Sequence, residues 1–174
     1  VNMNGMFNGC SGLTSLDVSS FDTSSVISMS SMFRECRGLT SLDPSNFVTS
    51  TVTDMNYMFA GCSGLTSLDL SEWATNNASM SNMFNGCSKL ESLPITTFGY
   101  GCTYVNCYGN CKEAVRNLPT LTIVGPCNLY RLFAGCTTIS KTVTFDWKTD
   151  ETVTVTEMFI DIPSNTIESL YGIN

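Results

Sequence analysis

The pair Met6-Phe7 returns as Met32-Phe33, Met58-Phe59 and Met83-Phe84, at steps of 26, 26 and 25 residues. The same pace leads on to Cys107-Tyr108, Leu132-Phe133 and Met158-Phe159. Four residues after the first member of each pair stand Cys10, Cys36, Cys62, Cys87, Cys111 and Cys136, with Ile162 closing the series. Three residues before it stand Met3, Met29, Met55, Met80, Tyr104, Leu129 and Val155. A unit this short cannot bury its own Met, Phe and Leu. The copies must stack, so that each repeat covers its neighbour.

A second pattern follows each cysteine. Cys10-x2-Leu13-x2-Leu16-x-Val18-x2-Phe21 becomes Cys36-x2-Leu39-x2-Leu42-x-Pro44-x2-Phe47, then Cys62-x2-Leu65-x2-Leu68-x-Leu70-x2-Trp73, then Cys87-x2-Leu90-x2-Leu93-x-Ile95-x2-Phe98. Later copies are degraded: Leu118, Leu121 and Ile123 follow Cys111, and Ile139, Val143 and Phe145 follow Cys136. Leu16-Asp17-Val18 alternates apolar and polar residues, which predicts a short strand with one buried face. Val26, Met29, Met32 and Phe33 recur at i, i+3, i+6 and i+7, which predicts a short helix or 3₁₀ turn. Ser24, Ser25, Thr51 and Thr53 are expected as its N-caps. Gly9, Gly61, Gly86 and Gly135 are expected to end it at positive φ. The expected fold class is an α/β repeat solenoid of the leucine-rich-repeat type, with about seven coils. Short parallel strands would lie on one face and short helices or 3₁₀ turns on the other. Residues 1–98 read as regular repeats. Residues 99–174 read as degenerate repeats of the same solenoid, with a C-terminal coil or cap near Ile162, Ile167 and Leu170. The chain starts mid-repeat, so more chain before Val1, or another molecule over that end, is expected.

The phrase Met58-Phe59-Ala60-Gly61-Cys62, continued through Leu65, Leu68 and Leu70 to Trp73, resembles the BspA-like leucine-rich repeat of bacterial surface proteins. The likeness is close over residues 3–98 and traceable beyond. It implies a surface-anchored or secreted protein concerned with adhesion, and it implies no catalytic residue.

Composition narrows the functions. The 174 residues carry 8 Lys+Arg against 15 Asp+Glu, a net charge of −7. That charge argues against nucleic acid as a partner, since phosphate binding needs a basic face. No apolar run reaches the ~18–20 residues of a membrane-spanning helix. Histidine is absent, which removes Ser-His-Asp triads, Cys-His pairs and His-based zinc sites. Ser and Thr number 22 each, so the surface is rich in hydroxyls.

Candidate sites follow from the columns. The six repeated cysteines read as small buried hydrophobes filling one corner of each unit. Cys102 and Cys127 share another slot, as packed thiols or as a disulfide. Cys102, Cys107, Cys111 and Cys127 do not have the spacing of a zinc knuckle, and no metal or cofactor is expected. The methionine columns read as core packing, and the sequon Asn77-Ala78-Ser79 as silent. Asp17, Asp43 and Asp69 occupy the polar place inside L-x-L and form a row. Ser15, Ser41 and Ser67 flank it on one side, and Ser19, Ser45 and Ser71 on the other. The row reads as a solvated face, or as a stripe for a cation or basic ligand. These nine residues are where a partner-binding face is expected.

The functional expectation is a non-catalytic binding or adhesion module at the cell surface or secreted. It would recognise a protein or glycan ligand on a host or neighbouring cell. The alternative is a structural spacer or assembly element, packed against neighbouring chains in an appendage, fibre or virion. An enzyme is not expected, because no catalytic constellation stands out.

Overall fold

The computed structural model describes residues 1–75, 77–99, 101–139, 142–149 and 153–162, and the backbone of 169–171. Six short strands form: β1 (Thr97–Phe98), β2 (Leu121–Ile123), β3 (Cys127–Asn128), β4 (Thr142–Trp147), β5 (Val153–Thr154) and β6 (Ser169–Tyr171). β1, β2, β4 and β6 make a parallel four-stranded sheet in that order, and β3 pairs with β5, also parallel. Among the described residues there is no helix. The expected α/β solenoid of strand-and-helix coils is therefore not what forms.

What does form is a stack of turn-built repeats. Single parallel bridges join Asn2 to Ser28, Ser28 to Asp54, Asp54 to Ser79, Ser79 to Thr103 and Thr103 to Asn128. The residues that follow extend the ladder. In the second repeat, the N–H groups of Met29, Ser31, Phe33 and Glu35 donate to the carbonyls of Asp54, Asn56, Met58 and Ala60 at 2.7–2.9 Å. The same four positions donate onward from Met3, Met55, Met80, Tyr104 and Leu129. Between them, Met32, Arg34 and Cys36 close turns onto residues three back, at 3.1–3.2 Å.

The reason the helix fails is visible in φ. Two residues per repeat, four apart, take the left-handed conformation: Gly5 and Gly9, Ser31 and Glu35, Tyr57 and Gly61, Asn82 and Gly86, Asn106 and Asn110, Arg131 and Gly135, Glu157 and Asp161. A left-handed residue every fourth position ends each turn before a second helical bond can form, and aims its N–H at the next repeat. Gly and Asn tolerate this conformation, whereas other residues pay about 1–2 kcal/mol. The four ladder bonds at each interface, about 0.5–1.5 kcal/mol net apiece, offset that cost. Gly9, Gly61, Gly86 and Gly135 do take positive φ, 69–78°, but they end turns. The residues expected as N-caps also do something else. The Thr51 hydroxyl donates to the Val26 carbonyl at 2.8 Å, and Ser24 donates to the Asp22 carboxylate at 2.6 Å.

The expected L-x-L strands are also missing from the first three repeats. There the backbone N–H groups of Ser19, Ser45 and Ser71 turn back onto the carboxylates of Asp17, Asp43 and Asp69 at 2.9–3.1 Å. Such Asx turns compete with a ladder, and Pro44 has no N–H to contribute. In the fourth repeat the strand falls on Phe98 instead of on Leu93-Pro94-Ile95. Three-residue pairing occurs where Leu121–Ile123 meets Phe145–Trp147 and where β4, through Thr142, Val143 and Thr144, meets β6, in stretches rich in β-branched residues.

The core is one run of columns. Met29, Met32, Met55, Met58, Met80 and Met83 have no exposed surface. Phe7, Phe33, Phe59, Phe84, Tyr108, Phe133 and Phe159 stack in sequence, with centroids 5.2–6.0 Å apart. Phe21, Phe47 and Trp73 form a second column at 6.1–6.3 Å. Of the C-terminal residues expected as a coil or cap, Ile167 and 172–174 lie outside the described residues, and Leu170 sits in β6.

Candidate functional site

The Asx turns that displace the strands also shape the acidic row. Each aspartate accepts a hydrogen bond from the serine two residues on, so its carboxylate is held at the bend and stays exposed. Bonds from the hydroxyl and N–H of Ser19 and Ser45 hold Asp17 and Asp43 below the usual carboxylate range. The N–H and hydroxyl of Ser71 do the same for Asp69. Asp43 and Asp69 also face each other closely enough for Asp69 to push Asp43 slightly back up. The row is therefore a line of fixed negative charges at neutral pH.

Between these bends lies a groove of about 590 Å³. Leu42, Leu68 and Leu93 line it, each 7–8% exposed. Asp43, Ser67, Asp69 and Ser92 supply its polar atoms, and Pro44 and Pro94 complete the lining. Of the nine residues expected at a partner face, the groove gathers Asp43, Ser67 and Asp69. Ser15, Asp17, Ser19, Ser41, Ser45 and Ser71 are exposed but do not line it. The groove crosses three repeats, and its apolar floor comes from residues that also belong to the core.

The cysteine column is a packing device. The thiols of Cys36, Cys62, Cys87, Cys111 and Cys136 donate to the carbonyls of Phe7, Phe33, Phe59, Phe84 and Tyr108 at 3.0–3.2 Å. Burial pushes the Cys62 and Cys136 thiols up to about 12, and Cys87 and Cys111 well above the usual thiol range. A thiol held protonated is neither nucleophile nor metal ligand. All nine cysteines are free, Cys102 and Cys127 included. Burial raises Cys127 to about 12 as well. Among the described residues, no three His, Cys, Asp or Glu side chains converge as metal ligands would.

A second depression was not anticipated from sequence. It holds about 340 Å³ and is lined by Asn82, Asn106, Asn110, Tyr130, Arg131 and Asp161 over a floor of Ala134 and Gly135. The signal for it was present: Asn82, Asn106 and Asn110 stand at repeat positions where other copies carry glycine. An asparagine in such a place marks a left-handed residue whose amide points outward.

Among the described residues, no helix is long and apolar enough to cross a membrane. Comparison with curated proteins and with solved structures finds no match. A family model does match, over residues 1–98, the stretch with the most regular repeats. The chain belongs to the family described as "Mycoplasma protein of unknown function, DUF285".

Proposed function

We propose that this chain is a non-catalytic binding module of the cell surface or a secreted protein, and that it recognises a protein partner through the acidic groove. The observation that carries the reading is the pairing of a leucine floor with fixed carboxylates. Leu42, Leu68 and Leu93 offer apolar contact, while Asp43 and Asp69 stand charged at the edge. An extended segment with basic side chains complements both. The likeness to adhesion repeats of bacterial surface proteins supports the same role. A spacer or assembly role is the second reading, favoured by the unbroken stack of seven aromatic rings, which makes the repeats a stiff unit.

The test is the double variant Asp43→Asn/Asp69→Asn. Asparagine keeps the acceptor that closes each Asx turn and removes the charge. Binding of a Lys/Leu-alternating peptide and of a panel of matrix proteins is measured by surface plasmon resonance. The expected result is saturable binding that weakens with salt and falls at least tenfold in the variant. Absence of saturable binding to every probe, together with side-by-side self-association of the chain, favours the spacer.

A further inference from the structure

The second depression lies elsewhere on the repeats, and its construction is specific. Five of its lining residues are left-handed: Asn82, Asn106, Asn110, Arg131 and Asp161, with φ of 53–61°. In this conformation the side chains stand out from the turns. Gly135 shares its column with Asn110 in the repeat before and Asp161 in the repeat after. Gly135 lies under the Asn110 side chain, and its lack of a side chain lets that amide settle at the floor of the depression. A Cβ placed there would come within 2.6 Å of Asn110 Oδ1.

The polar groups are held but not used up. Asn106 Nδ2 donates to Asn82 Oδ1 at 2.8 Å, and Asn110 Nδ2 donates to Asn85 Oδ1 at 3.2 Å. These bonds orient the amides, with Asn110 Oδ1 lying over Gly135 at the floor of the depression and Asn106 Oδ1 over Gly109. Arg131 is fixed by Glu157, through Nε to Oε2 at 2.8 Å, and lies 5.2 Å over the Tyr130 ring. Tyr130 Oη donates to the same Glu157 oxygen at 2.9 Å. Among the described residues, neither Nη atom of Arg131 has a hydrogen-bond partner.

We infer that this depression is a binding site for a neutral, hydroxyl-rich ligand, the terminal sugar of a glycan. Amide oxygens, an amide N–H, a guanidinium and a carboxylate within one hollow give mixed donors and acceptors. Sugar hydroxyls, which donate and accept together, match that mixture. Charge disfavours an anion: Glu157 pairs with Arg131, and Asp161 adds a carboxylate to the lining. The volume suits one or two sugar rings, at the low end of small-molecule clefts, about 300–1,000 Å³.

The test is a printed array of neutral, sialylated and sulfated glycans, followed by calorimetry of the 174-residue chain with the best neutral sugar. Two variants accompany it. Asn110→Ala removes the amide at the floor. Arg131→Gly removes the guanidinium at a position where Gly5 already serves, so the fold is retained. Saturable binding of a neutral sugar is expected, weakened at least tenfold in both variants, with Tm within a few degrees of the parent. Asp43→Asn/Asp69→Asn should leave sugar binding unchanged, which separates this site from the groove. The inference is overturned by no saturable binding, by binding confined to anionic glycans, or by affinities unchanged in both variants.

Discussion

The Tyr108 hydroxyl satisfies both backbone groups of Ile95: it accepts from the Ile95 N–H at 2.9 Å and donates to the Ile95 carbonyl at 2.8 Å. Tyr108 stands in a column otherwise filled by phenylalanine, and it is fully buried. Ile95 follows Pro94 and lies just before the first strand. Thr23 treats Val48 in the same way, accepting at 2.7 Å and donating at 3.3 Å. In both places a side chain does what a neighbouring strand would otherwise do.

Tyr108→Phe therefore should not be a conservative change, although six other repeats carry Phe at this point. It leaves an N–H and a carbonyl without partners in a dry site, at a cost of about 1–3 kcal/mol. Thr23→Val should cost less, about 1 kcal/mol, because Val48 is 46% exposed and water can replace the hydroxyl. Urea unfolding of the two variants checks the order. A Tyr108→Phe chain as stable as the parent would show that Ile95 finds another partner.

The left-handed positions predict opposite signs for two glycine changes. Ser31 has φ of 58°, and among the described residues its hydroxyl has no hydrogen-bond partner. Ser31→Gly should stabilise by about 0.5–1 kcal/mol. Gly86 has φ of 78°, and a Cβ there would meet nothing closer than 3.7 Å. Gly86→Ala should still destabilise by about 1 kcal/mol, because the cost lies in the backbone and not in space. Thermal unfolding should separate the two, with the first Tm raised and the second lowered.

These positions also explain what could be read from sequence. The register was legible, because columns such as Met29-Met55-Met80 are set by repeat spacing alone. The type of turn was not. Apolar residues at i, i+3 and i+7 suit a helix, and they equally suit two successive turns closed by left-handed residues. The discriminating signal was Gly5 and Gly9, or Asn82 and Gly86: breakers four apart, which a helix does not accommodate. Exposure of Asp17, Asp43 and Asp69 was legible from the alternation around them. The strand expected there was not, because the aspartates fold onto Ser19, Ser45 and Ser71. The groove depends on Leu42, Leu68 and Leu93 lining one surface across three repeats, and the asparagine hollow depends on where left-handed residues stand in the stack. Neither has a one-dimensional signature.

Thiol labelling should divide the cysteines sharply. Cys10 is exposed, whereas the other eight are buried. Under reducing, native conditions iodoacetamide should modify Cys10 within minutes and leave Cys36, Cys62, Cys87, Cys111 and Cys136 intact. All nine should react in denaturant. Mass spectrometry of the digested chain reads the result directly, and rapid native labelling of Cys62 would contradict the column.

The same thiols make stability depend on alkaline pH. Cys62 and Cys136 titrate near 9 when unfolded and near 12 when folded, because burial penalises the thiolate. Below pH 9 both states keep their protons, and stability is at its full value. Between pH 9 and 12 the unfolded chain has released protons that the folded chain still holds, so each pH unit favours unfolding. The slope is at most ~1.4 kcal/mol per pH unit for each such thiol. Urea midpoints measured in reductant should be flat from pH 7 to 8.5 and fall steadily above 9. Cys62→Ala should lower the plateau through the cavity it leaves and should make the alkaline slope shallower. An unchanged slope in that variant would assign the alkaline loss to other groups.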